Sequence, residues 1–95
     1  AEKRIIMKAV ITVIGTDRIG IISSITNILA KADVNILDIS QTIMQNIFSM
    51  IMLVDVDKMS IEFTKLGELL QRESETLGVD IRLQREEIFT SMHRV

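Results

Sequence analysis

The residues best equipped for chemistry in this 95-residue chain gather in one short stretch. It reads Gly15-Thr16-Asp17-Arg18-Ile19-Gly20-Ile21-Ile22, where a β-branched run gives way to helical periodicity. A strand-to-helix turn presents unpaired N–H groups and the positive end of the helix dipole, which favour a carboxylate. Asp17 offers a negative charge to an ammonium group, and Asn35, opening the next strand-like run, offers an amide donor and acceptor. Anion-binding backbone beside a carboxylate suits a zwitterion such as an α-amino acid. Each residue also has a plainer reading. Asp17 serves equally as the helix N-cap, Gly20 as a packing glycine, Asn35 as a turn residue bonding its own backbone, and Arg18 as a solvated loop charge.

Other chemistries are poorly supplied. There is one histidine, His93, and no cysteine, so thiolate metal sites, disulfides and Cys or Ser-His nucleophiles are not expected. No clustered carboxylates stand at a spacing that supports an acid/base pair. No cofactor or metal is implied, and His93 reads as structural or solvent-facing. Asp38 reads as solvent-facing or paired, and Met44, Met50 and Met52 as core or oligomer surface. The net charge is −2 and aromatics are only 3%, which argues against phosphate binding and base stacking, hence against nucleic acid as a partner. The longest charge-free run, Ile39 to Val54, contains polar residues and falls short of the ~18–20 apolar residues of a membrane span. No targeting segment is apparent, so a cytoplasmic location away from membranes is expected.

Periodicity supplies the elements. Lys8 to Ile14 reads as a strand, and Ile21, Ile25, Ile28, Leu29 and Ala32 as the apolar stripe of a helix over about 19–32. Asp33 stands where a left-handed residue often ends a helix. Val34 to Met44 and Ile47 to Val56 form a hairpin about Gln45-Asn46, with Asn taken as the residue that accepts positive φ. The second of these strands is apolar on both faces and should be central. In the first, Asp38, Ser40 and Thr42 share a wet side. Ser60 can cap a second helix over about 60–77, striped by Phe63, Leu66, Leu70 and Leu77 and ended by Gly78. Gly67 inside it costs roughly 1 kcal/mol relative to Ala. Val79 to Gln84 alternates as a half-buried strand, and Ile88, Phe89, Met92 and Val95 stripe a short C-terminal helix.

The order β-α-β-β-α-β, with right-handed crossovers, predicts an α+β ferredoxin-like sandwich. It has a four-stranded antiparallel sheet with two helices on one face, plus the C-terminal helix. Residues 7–95 form a single domain, and residues 1–6 are an extension or a cloning remnant. The fold alone implies no function. An RNA-recognition module needs exposed aromatics on its central strands, and Phe48 is the only aromatic there. A copper chaperone needs a Cys pair. An acylphosphatase uses a loop Arg and an Asn, for which Arg18 and Asn35 are available, but its Q-G-V-x-F-R context is absent.

The pattern G-T-D-R-I-G-I-I…I-L-A-K-A-D-V-N-I-L-D-I-S-Q resembles an ACT domain, the regulatory amino-acid-binding module. It is closest in style to those of the glycine-cleavage repressor and formyltetrahydrofolate deformylase. The start M-K-A-V-I-T-V-I-G and the ending I-F-T-S-M-H-R-V resemble the stand-alone single-ACT-domain proteins of bacteria and archaea. The resemblance covers residues 7–95. It implies a ligand site formed by Asp17, Arg18, Ile19, Gly20, Ile21, Asn35 and Ile36, with Gly20 allowing close approach and Asn35 bonding the ligand. Asp17 falls where the serine-feedback module of phosphoglycerate dehydrogenase has an Asn. Gly15 falls where that module has a His.

The reading is therefore a small non-enzymatic regulatory or sensor protein. It binds an amino acid or similar small ligand at the first strand-helix loop, where Asp17, Gly20 and Asn35 converge in one pocket. It acts through oligomer contacts or a partner protein. The alternatives are a ligand-free interaction subunit and, third, a small acyl-phosphate hydrolase. Ile39 to Met44 carries no charge, Pro or Gly to discourage edge pairing, so a homodimer or higher oligomer is expected, joined along that edge or across the open sheet face.

Overall fold

The computed structural model describes residues 7–16 and 20–86. Its elements are β1 (Lys8–Gly15), α1 (Ile21–Lys31), β2 (Asn35–Met44), β3 (Ile47–Asp55), α2 (Phe63–Leu77) and β4 (Asp80–Arg85). The strands form one antiparallel sheet in the order β2-β3-β1-β4, so the expected ferredoxin-like βαββαβ sandwich is present. The C-terminal helix expected from Ile88, Phe89, Met92 and Val95 lies outside the described residues, as does His93.

Strand alternation decides which face the helices cover. Ala9, Ile11 and Val13 of β1 and Phe48, Met50, Met52 and Val54 of β3 are buried with Ile81 of β4. They form one core with Ile21, Ile25 and Leu29 of α1 and Leu66 and Leu70 of α2. β3 is central, as its two apolar faces required. On its other face Ile47 and Ile51 stay exposed, with Ile14 of β1 beside them.

Three local expectations change. α2 starts at Phe63, not Ser60, and its N-cap is Glu62 in extended conformation without a side-chain cap. Ser60 lies two residues before that cap, where its N–H donates to the Ala32 carbonyl at the end of α1. In the hairpin the left-handed residue is Gln45 (φ 57°), not Asn46. α1 begins at Ile21, and its N-cap is Gly20, φ 78°, so that position is not taken by Asp17. Asp33 (φ 59°) and Gly78 (φ 70°) end their helices left-handed, as expected.

Two glycines carry opposite steric messages. A Cβ at Gly15 would lie 2.5 Å from Val79 Cγ1 and 3.1 Å from Val79 Cβ, so β1 can approach the α2–β4 connection only without a side chain there. A Cβ at Gly67 would meet only Leu83 Cδ2, at an ordinary 3.9 Å, so helix–sheet packing does not require that glycine.

Gly15→Ala should therefore destabilise by about 1–3 kcal/mol through overpacking. Val79→Ala in the same chain should recover part of the loss, as read by urea unfolding. Gly67→Ala should act in the other direction. It removes a helix-interior glycine without a clash and should stabilise by about 1 kcal/mol, raising Tm by about 4–8 °C in a domain of this size.

Candidate functional site

Gly20 opens α1 in the left-handed region, and among the described residues nothing lies within 4 Å of where its Cβ would be. The Gly20 carbonyl accepts the Ser24 N–H at 3.0 Å and the Ser23 Oγ–H at 3.2 Å, which fixes the first turn. The first-turn N–H groups of Ile21, Ile22 and Ser23 have no carbonyl four residues earlier within the helix. Ile21 itself is 1% exposed and belongs to the core, so what it can give a ligand is backbone. Asp17, Arg18 and Ile19 lie outside the described residues.

Asn35 does not join this group within one chain. Strand register places it opposite Asp55, which in turn faces Lys8, the first residue of β1. Gly15 is level with Phe48 and Ile43, at the other end of the sheet. Seven residue steps separate the two levels, about 23 Å at strand rise. The cause is direction. α1 returns antiparallel to β1, so the strand after it must start where β1 started. Ile36 shares that distant end, half-buried opposite Val54 and packed on the core. The expected single-chain pocket of Asp17, Gly20 and Asn35 is thus corrected. Of the sequence-predicted residues that are described, Gly20 and Ile21 lie at the α1 mouth and Asn35 and Ile36 at the start of β2, at opposite ends.

The structure also holds two features that sequence reasoning missed. An open cleft of about 460 Å³ runs between α2 and β4, lined by Phe63, Gly67, Leu70 and Leu83 among others. The helix-interior Gly67 was its only sequence signal. At its end the Arg85 guanidinium lies 4.2 Å from the centre of the Phe63 ring. The second is an irregularity in β2, whose exposed edge the sequence indicates. The register slips between Ile36 and Asp38, leaving Leu37 as an extra residue, and the Ile39 N–H donates to Asp38 Oδ1 at 2.9 Å. Leu37, Ile39, Ile43 and Met44 are all exposed along this strand. Among the described residues there is no cluster of three or more His, Cys, Asp or Glu that could hold a metal ion, and no helix long and apolar enough to cross a membrane.

Comparison with known proteins agrees with this architecture. The ACT domain family matches residues 8–84. The UPF0237 protein of Clostridium acetobutylicum is 53% identical, covering 94% of this chain and 100% of that protein. The UPF0237 protein of Methanocaldococcus jannaschii is 49% identical, covering 93% of this chain and 98% of that protein. Among solved structures, an ACT domain protein from Streptococcus pneumoniae superposes with a TM-score of 0.76 at 38% identity, covering 87% of this chain and 93% of that one. With the βαββαβ order, the left-handed Gly20 at the mouth of α1 and Asn35 at the head of β2, the match places the chain in the ACT domain family.

Proposed function

We propose that this chain is a small regulatory module. It takes an amino acid or a similar zwitterion at the first strand-helix loop and passes that state on through contacts between copies or with a partner protein. The observation that carries the reading is Gly20, a left-handed residue at the mouth of an 11-residue helix, with no atom of the described residues within 4 Å of where its Cβ would be. The helix N-terminus favours the ligand's carboxylate, and Asp17 in the preceding loop supplies the charge for its ammonium group.

The role of Asn35 then needs a second copy. β2 is an edge strand, and antiparallel pairing of two such edges carries the partner's Asn35 toward the Gly20 end of the first copy. Loop group and strand-start group meet across the joint, twice in each pair. Gly20, Ile21 and Asn35 with Ile36 then serve one site from two chains, together with Asp17, Arg18 and Ile19.

The ligand-free interaction subunit remains the second reading, because the exposed Ile39, Ile43 and Met44 favour association whether or not a ligand is present. The acyl-phosphate hydrolase is disfavoured by geometry. Asn35 stands at the far end of the sheet from Gly15 and the mouth of α1, and Arg18 lies outside the described residues.

Thermal unfolding in the presence of each proteinogenic amino acid tests the proposal. It should be followed by circular dichroism, because the chain has neither Trp nor Tyr. A ligand at 100 times its Kd adds about 2.7 kcal/mol, which at this size raises Tm by roughly ten degrees or more. Asp17→Ala and Asn35→Ala should each abolish that shift and leave the unliganded Tm within about 2 °C. If no amino acid moves Tm, the ligand-free reading replaces this one. An acyl-phosphate assay should show no turnover, and turnover abolished by Arg18→Ala would restore the hydrolase.

A further inference from the structure

Val10 is buried on the face of the sheet that no described helix covers. Alternation along β1 sends Ala9, Ile11 and Val13 under the helices, so Val10 points to the opposite face. It is nevertheless only 4% exposed, and it is not part of the core beneath α1 and α2. Strand register puts it level with Leu53 on β3 and Gln84 on β4. Leu53 is half-buried, whereas Ile14 and Ile51 on the same face are 46% and 43% exposed. One end of the open face is therefore sheltered and the other is not. The β3–α2 connection does not provide the shelter, because Val56, Met59 and Ile61 turn to the helix side and pack on the core there.

We propose that residues 87–95 of the same chain lie across this end of the sheet, over Val10 and Leu53. Three observations select them. β4 ends at Arg85, level with Ala9, so the chain leaves the sheet beside Val10. The backbone turns helical at Glu86. The sequence that follows carries Ile88, Phe89 and Met92 on one helical stripe, with Thr90 on the opposite side. A helix this short is not stable alone in water and needs an apolar surface to pack on. Nine residues of helix extend about 14 Å, which equals about three strand spacings. That length reaches from β4 over β1 and β3 and leaves Ile14, Ile47 and Ile51 uncovered, which is the exposure observed.

Two other occupants fit less well. Residues 1–6 carry Ile5 and Ile6, but a continuation of β1 in that direction leads away from Val10, and Met7 at the junction is 47% exposed. A second copy is not required, because Val10 is buried within a single chain. The cover divides the open face. A partner protein approaching it meets Ile14, Ile47 and Ile51 and finds the Val10 end closed. The tail also borders the strand-start group, since Lys8, Asp55 and Asn35 form the next row outward on the same face.

Thiol accessibility tests the cover in the full-length chain, which has no cysteine of its own. Val10→Cys puts a small apolar thiol at the sheltered position, and Ile14→Cys puts one at the open end. Iodoacetamide should alkylate Val10→Cys more than tenfold more slowly than Ile14→Cys. Adding Phe89→Ser with Met92→Ser should raise the Val10→Cys rate more than tenfold, with the circular dichroism of the folded domain retained. Adding Ile5→Ser with Ile6→Ser instead should leave that rate unchanged. The tail gives a second reading with less disturbance: Met92→Cys should react more than tenfold more slowly than Thr90→Cys. If the serine pair unfolds the chain, this second comparison decides. The proposal is overturned if the tail serines leave Val10→Cys protected, or if the serines at Ile5 and Ile6 expose it equally. It is also overturned if the protection disappears on dilution with the tail intact, which assigns the cover to a second copy, or if Met92→Cys and Thr90→Cys react alike.

Discussion

Among the described residues the sheet is covered by helices on one face only, and that is the constraint from which the rest of this molecule follows. Right-handed crossovers send α1 and α2 to the same side. The alternation of β1 and β3 must therefore put Ala9, Ile11, Val13, Phe48, Met50, Met52 and Val54 beneath them. A slip of one residue in either strand would turn that whole set to the uncovered face. The pairing of β1 with β3 is thus fixed by burial, and it determines what lies outside it. β2 and β4 become edges, and Ile14, Ile47 and Ile51 are left on the open side.

The same constraint sets the ends of the molecule. Strand directions gather the β1–α1 loop, the β2–β3 hairpin and the α2–β4 connection at one end. Gly15 records that gathering, since its missing side chain is what lets Val79 sit against β1. The position that resembles a ligand-bonding His in the serine-feedback module is here occupied by backbone packing. On the proposed function, ligand contacts at this end come from the backbone of the α1 mouth and from the loop before it.

Much of the fold was legible because it follows from periods. The change from β-branched run to helical stripe at Gly15–Ile21, the two apolar faces of β3 and the left-handed Asp33 and Gly78 all read directly from residue type and spacing. What did not read depends on distant partners. Ser60 has the chemistry of a cap, but the chain turns into the helix only after Glu62, and Ser60 bonds through its N–H to Ala32 at the end of α1 instead. Asn46 is the better left-handed residue in isolation, yet the hairpin puts Gln45 there. In the candidate site the separation of Asn35 from the mouth of α1 was not legible. The topology held the answer, because a helix that returns along β1 must deliver Asn35 to the wrong end of its own sheet. The Leu37 bulge and the Asp38 bond to Ile39 left no mark on the alternation pattern, because both concern which way backbone groups point.

That separation of the polar groups also bears on how such a module can signal. A close-packed two-layer domain has few internal arrangements to switch between. Its association state is a different kind of variable, because each added copy brings a second set of groups. On the reading offered here, a ligand held by the first loop of one copy and Asn35 of the other has little to grip in the monomer. Its binding energy then appears as added association energy, by the linkage that makes any ligand stabilise the state it binds. A pair already fully formed would leave a ligand nothing to shift, whereas a marginal pair lets a few kcal/mol move the balance by orders of magnitude. The carboxylate of Asp38 works in the same direction. By satisfying the Ile39 N–H in the single copy it lowers the cost of the unpaired edge, and so keeps association within the range a small ligand can control.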